Sequence, residues 1–111
     1  MHKGPPPGQT TDLKILRRQV GEQLRRLRKG RGLTQRMLAD QLGFDYYTFI
    51  AQIEAGRGRV PSERFGAYAR ALGMPVRDFT RMMLSHYEPV IYQHLFTDDP
   101  HIPSQSGDNI S

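Results

Sequence analysis

Apolar residues recur along most of this chain at intervals of three and four, the period of an α-helix, with no stretch of strand-like alternation. Leu13, Leu16, Val20, Leu24 and Leu27 make one stripe, opposite a face carrying Arg17, Arg18, Arg25, Arg26 and Lys29. Thr11 or Asp12 can cap this first helix, and Gly30 and Gly32 end it. Gly21 lies inside the stripe and offers a place for a break, since glycine costs about 1 kcal/mol relative to alanine in a helix interior. A second helix is predicted from about Thr34 to Leu42, stopped by Gly43, and a third from about Asp45 to Ala55, stopped by Gly56. Ser62 is expected to cap a fourth, with Phe65, Tyr68, Ala69 and Leu72 on its apolar face and Gly73 at its end. Pro75 suits the first turn of a fifth containing Phe79, Met82 and Met83, and Pro89 should kink or restart it, giving a segment to Phe96.

The pattern makes the protein all-α, with one domain and two tails. Residues 1–11 and 97–111 are rich in Gly, Pro and polar residues and have little to bury, so they read as flexible tails. The helical domain spans 12–80, and 81–96 form a C-terminal extension. Two short helices joined by a glycine-containing turn, Leu33 to Gly56, describe a helix-turn-helix.

Charge adds a partner to this picture. Sixteen Lys and Arg face eleven Asp and Glu, a net of +5. The last fifteen residues hold −3 and the first eleven +1, so the segment between carries +7, nearly all of its positive charge from arginine. A small Arg-rich domain suits a polyanion, most simply nucleic acid. With no cysteine there is no disulfide or thiolate metal site, and a reducing cytoplasm is the expected setting. No apolar run approaches the roughly 20 residues of a membrane span, and no signal-peptide core is seen at the N-terminus.

The run LRRLRKGRGLTQRMLADQLG, followed by IAQIEAG and a basic loop, resembles the phage-repressor (Cro-like, or xenobiotic-response-element) helix-turn-helix regulators. Leu33-Thr34-Gln35, Leu38-Ala39, Leu42-Gly43, Ile50-x-x-Ile53-Glu54, Gly56 and Ala69-x-Ala71-Leu72-Gly73 carry the likeness, which extends from about Val20 to Phe79. It implies a compact five-helix, lambda-repressor-like bundle whose third helix enters the DNA major groove. The chain has one residue more than the usual spacing between Gly43 and Ile50, placed here in the Phe44-Asp45-Tyr46 turn.

With Ile50 and Ile53 facing the core, Tyr46, Tyr47, Thr48, Ala51 and Gln52 are expected on the exposed face of helix three. By resemblance, Tyr47, Thr48 and Gln52 fall on positions that touch bases, and Gln35 on one that bonds the DNA backbone. Tyr46 suits DNA contact or a fold back onto the domain. Arg57 and Arg59, alternating with Gly56 and Gly58, make a second phosphate clamp, with Arg36 and Arg64 as additions. Arg17, Arg18, Arg25 and Arg26 read mostly as a solvated helix face. The resemblance also implies that Arg28 bonds Glu54, fixing helix three to the scaffold.

His86, His94 and His101 raise the question of a metal, but no carboxylate spacing completes a site, and surface histidines are expected, with no cofactor. No nucleophile with a nearby base, phosphate-binding glycine loop or carboxylate pair points to an enzyme. Between Phe79 and Phe96 there is more apolar surface than one inward face can use. Met83, Leu84, Tyr87, Val90, Ile91, Leu95 and Phe96 are the expected dimerisation residues, although a longer wrap around the bundle would use the same surface. The sequence therefore points to a cytoplasmic, nucleoid-associated regulator that binds double-stranded DNA as a homodimer on an inverted repeat. A DNA-binding antitoxin that neutralises a partner protein, or a bridging module of the same fold, are the alternatives.

Overall fold

A computed structural model describes residues 12–96, so the tails expected at 1–11 and 97–111 lie outside the described residues. The described chain is all-α, with six α-helices joined by loops and no strand among the described residues: α1 (Leu13–Gly30), α2 (Gln35–Leu42), α3 (Thr48–Glu54), α4 (Phe65–Leu72), α5 (Val76–Tyr87) and α6 (Pro89–Phe96). Asp12 caps α1 by accepting the Lys14 N–H at 3.0 Å, and Thr34 caps α2 by accepting the Met37 N–H at 3.0 Å. Helices α2 and α4 close in the same way. Gly43 and Gly73 take the left-handed conformation, and the following residues, Phe44 and Met74, donate back to the carbonyls of Ala39 and Ala69.

The stripes meet in one core. Val20 and Leu24 of α1, Leu38 of α2, Ile50 of α3, Tyr68 of α4, and Phe79 and Met83 of α5 are fully buried. Phe79 stacks on Tyr68 at 5.3 Å between centroids and meets Phe65 edge-on at 5.7 Å. Helix α1 is unbroken at Gly21, and the reason is packing. A Cβ at Gly21 would stand 2.5 Å from the Glu54 carbonyl oxygen and 2.7 Å from that of Ile53. The glycine lets the end of α3 lie directly against α1.

Three boundaries differ from the sequence expectation. Helix α3 begins at Thr48, three residues later than predicted, because Asp45, Tyr46 and Tyr47 belong to the turn. Ser62 makes no side-chain cap; it opens a 3-10 turn, Ser62–Arg64, and α4 begins at Phe65. Pro75 immediately precedes α5 and does not occupy its first turn. At Pro89 the chain restarts instead of bending: Glu88 leaves helical geometry (φ −136°, ψ 65°) and α6 begins. No helix among the described residues is long and apolar enough to cross a membrane.

The C-terminal extension corrects part of the expected dimer surface. Met83 (0% exposed) and Tyr87 (3%) are core residues of their own bundle, so neither is free to meet a second subunit. Helix α5 packs along α1, and one face of its apolar set is consumed there. Leu84 is half-buried. Val90 (65%), Ile91, Leu95 (62%) and Phe96 remain exposed on α6, which contributes no buried residue.

Candidate nucleic-acid interface

Helix α3 is held from beneath by one ion pair. Arg28, near the end of α1, donates from Nε to Glu54 Oε2 at 2.6 Å and from Nη2 to Glu54 Oε1 at 2.9 Å. Its Nη1 donates to the Leu33 carbonyl at 2.8 Å, so one guanidinium joins α1, the α1–α2 loop and the end of α3. Both residues are buried. The hydrogen bonds to Glu54 push the Arg28 pKa above its ordinary value, against the opposing effect of burial, and the arginine stays charged. Gln35 adds a bond from Nε2 to Glu54 Oε1 at 3.1 Å. The side chain expected to face a phosphate is thus half-buried and turned towards the ion pair.

The outward surface of α3 follows from that anchoring. Ile50, Ile53 and Glu54 face inward, which leaves Thr48 and Gln52 exposed on the opposite face, with Ala51 half-buried beside them. Gln52 Oε1 accepts from Arg57 Nε at 2.9 Å. That bond takes one lone pair and leaves the amide hydrogens and the second lone pair available. Tyr47 lies under the Arg36 guanidinium, 4.9 Å from its ring centroid, while Tyr46 is 67% exposed. Phe49, absent from the sequence-based site, is 49% exposed and leans on Phe44 and Tyr46, with centroids 5.4 and 6.5 Å away. Its place beside the inward Ile50 could not by itself tell exposure from burial in the sequence, since the adjacent Ile53 and Glu54 of the same helix are both buried.

Basic residues flank this face at both ends. At the start of α2 a groove is lined by Lys29, Thr34, Gln35, Arg36 and Tyr47. Lys29 was not among the expected site residues. At the exit of α3, Arg57 is exposed beside Gln52. Arg59 is not a free clamp: it stacks on the Tyr87 ring at 4.6 Å and reaches Glu88 Oε2 at 3.4 Å. Tyr87 Oη in turn accepts the Val60 N–H at 3.1 Å, which bolts the loop after α3 to the end of α5. Burial pushes the Tyr87 pKa up, so the phenol remains neutral in that bond. Arg64 covers the Phe44 ring at 5.4 Å and is half-buried.

The family model described as "Helix-turn-helix domain" matches residues 19–81, more than half of the chain. This protein belongs to the helix-turn-helix domain family. No curated protein gives a match to the chain. In a helix-turn-helix domain the second helix of the motif is the one that lies in the DNA groove, and here that helix is α3, with its exposed face, basic rim and buried anchor. Among the described residues no group of three His, Cys, Asp or Glu side chains could hold a metal. His86 is half-buried rather than on the surface, with Nδ1 2.9 Å from both Ser85 Oγ and the Met82 carbonyl; His94 is exposed, and His101 lies outside the described residues.

Proposed function

We propose that this helix-turn-helix protein, of the Cro-like branch its motifs resemble, is a sequence-specific transcriptional regulator. It binds double-stranded DNA as a homodimer on an inverted-repeat operator. The observation that carries this reading is the exposed Thr48–Gln52 face on a helix anchored rigidly by Arg28–Glu54. Gln52, oriented by Arg57, can bond the adenine edge through both ends of its amide, and Thr48 can pack on a thymine methyl or add a hydrogen bond. Tyr46 and Tyr47 enter from the turn. Lys29 and Arg36 on one side and Arg57 on the other supply donors to phosphate.

A single short helix reads only a few base pairs, whereas two copies related by a two-fold axis set their reading helices about one DNA turn, roughly 34 Å, apart. The exposed apolar residues of α6 supply a surface for that pairing. The same surface supports a second reading, a DNA-binding antitoxin whose partner protein covers α6. Selection of bound duplexes from random DNA, followed by a salt titration of binding and the solution mass of the complex, tests both. A palindromic consensus, a steep fall of affinity with salt and two protomers per duplex are expected. A single protomer on an asymmetric site would favour the second reading. Weak binding at every salt concentration, with no enriched site, would overturn DNA regulation altogether.

A further inference from the structure

The arginines at the start of α1 look, in sequence, like an ordinary solvated helix face. Their surroundings in the fold separate them from the arginines further along the same helix. Arg25 and Arg26 both approach Glu22, at 3.7 and 3.6 Å. Lys14, Arg17 and Arg18 have no carboxylate oxygen within 4.0 Å among the described residues, and the carboxylate of Asp12 is engaged at the Lys14 backbone N–H. Their spacing of three and four places them on one side of α1, where like charges repel.

The fold then adds a fourth positive charge. Gly56 sits so close to α1 that a Cβ there would stand 2.8 Å from Arg18 Cα and 3.3 Å from the Arg17 carbonyl carbon. Its φ of +81° turns the chain out of α3 at this contact. The result is a cleft lined by Lys14, Arg17, Arg18 and Arg57 together with Ala55 and Gly56. Arg57 also bonds Gln52, so the cleft adjoins the base-reading face at the exit end of α3. Four cations with no ion-pair partner among the described residues, gathered beside the helix read above as the DNA-facing one, fit a run of backbone phosphates.

Resting on the DNA-binding reading above, we propose that Lys14, Arg17 and Arg18 form, with Arg57, a second phosphate-binding site. This site extends the DNA footprint from the end of α3 onto the start of α1. It contributes affinity and salt dependence and carries no base preference, because phosphates are common to every sequence.

The test uses the full chain and a duplex selected by the wild-type protein, with binding followed by fluorescence anisotropy across a salt series. The variant Lys14→Gln/Arg17→Gln/Arg18→Gln should lower the magnitude of the log affinity against log salt slope by about 2 to 3, at about 0.9 per phosphate lost. Its relative preference for the selected duplex over single-base variants should be unchanged. The charge-retaining variant Lys14→Arg/Arg17→Lys/Arg18→Lys should keep the wild-type slope. A wild-type slope that is steep and unchanged in the glutamine variant overturns the site while leaving DNA binding in place. So does equal loss of slope in the charge-retaining variant. A flat slope for the wild-type protein overturns the underlying DNA-binding reading as well.

Discussion

Arg28 and Glu54 carry more of the architecture than any other polar pair described here. Glu54 ends α3, and its carboxylate is matched by two donors from Arg28 and one from Gln35. Removing it leaves a buried guanidinium without its counter-charge, a change that costs roughly 3–5 kcal/mol. Glu54→Ala is therefore expected to lower the denaturation midpoint sharply as well as weakening DNA binding. Wild-type stability in urea would show that the pair is dispensable. Gly21 makes a second residue-level demand. The atoms facing it are backbone carbonyls of α3, which cannot rotate away as a side chain could. Gly21→Ala should cost at least the ~1–3 kcal/mol typical of overpacking, and the relief must come from moving α3. Unfolding of the variant in urea measures the loss; an unchanged midpoint would mean that the two helices separate freely. The sequence offered Gly21 only as a possible break, because a stripe of apolar residues describes one helix and not how closely its neighbour approaches.

Among the elements, α3 shows best what could be read from the chain and what could not. Its inward residues, Ile50 and Ile53, were plain from periodicity, and so was the exposed position of Gln52. Its start was not. With no capping side chain at Tyr47, the start is fixed by the bonds that Phe49 and Ile50 make to Tyr46 and Tyr47. Arg59 was equally hidden, since alternating arginines and glycines suggest an open basic loop. Its stacking on Tyr87 depends on the end of α5, twenty-eight residues further along, coming alongside. Within this element the expected roles divide. Gln52→Ala should flatten the preference at one base-pair position of each half-site by about 1–3 kcal/mol. Arg57→Gln should weaken all duplexes together, apart from a smaller effect at the Gln52 position. Binding to a panel of single-base operator variants checks both, and an unchanged preference in Gln52→Ala would remove it from the readers.

At the level of the whole molecule, the five-helix bundle and its C-terminal extension were legible because each helix carries its own stripe and stop. The division of apolar residues between core and surface was less so. Periodicity alone cannot distinguish a face packed into the bundle's own core from a face left for a partner, and Met83 and Tyr87 proved to belong to the first. The surface that remains, on α6, makes the oligomer testable without touching the core. Val90→Asp/Leu95→Asp should leave thermal stability near the wild-type value while shifting the solution mass from dimer to monomer. Sedimentation equilibrium at tens of micromolar reads this directly. A monomeric wild-type protein, or a variant that remains dimeric, would remove α6 from the interface.

The bolt between Val60, Arg59, Tyr87 and Glu88 has a thermodynamic consequence for such an assembly. It ties the loop leaving α3 to the residue immediately before α6. The Glu88 joint therefore adjoins both α6 and the loop that carries Arg57 and Arg59. If a partner on α6 raises operator affinity by some factor, operator DNA must tighten that partner by the same factor. Operator DNA would then be an assembly cofactor, with dimers forming on the operator at protein concentrations where free chains remain apart.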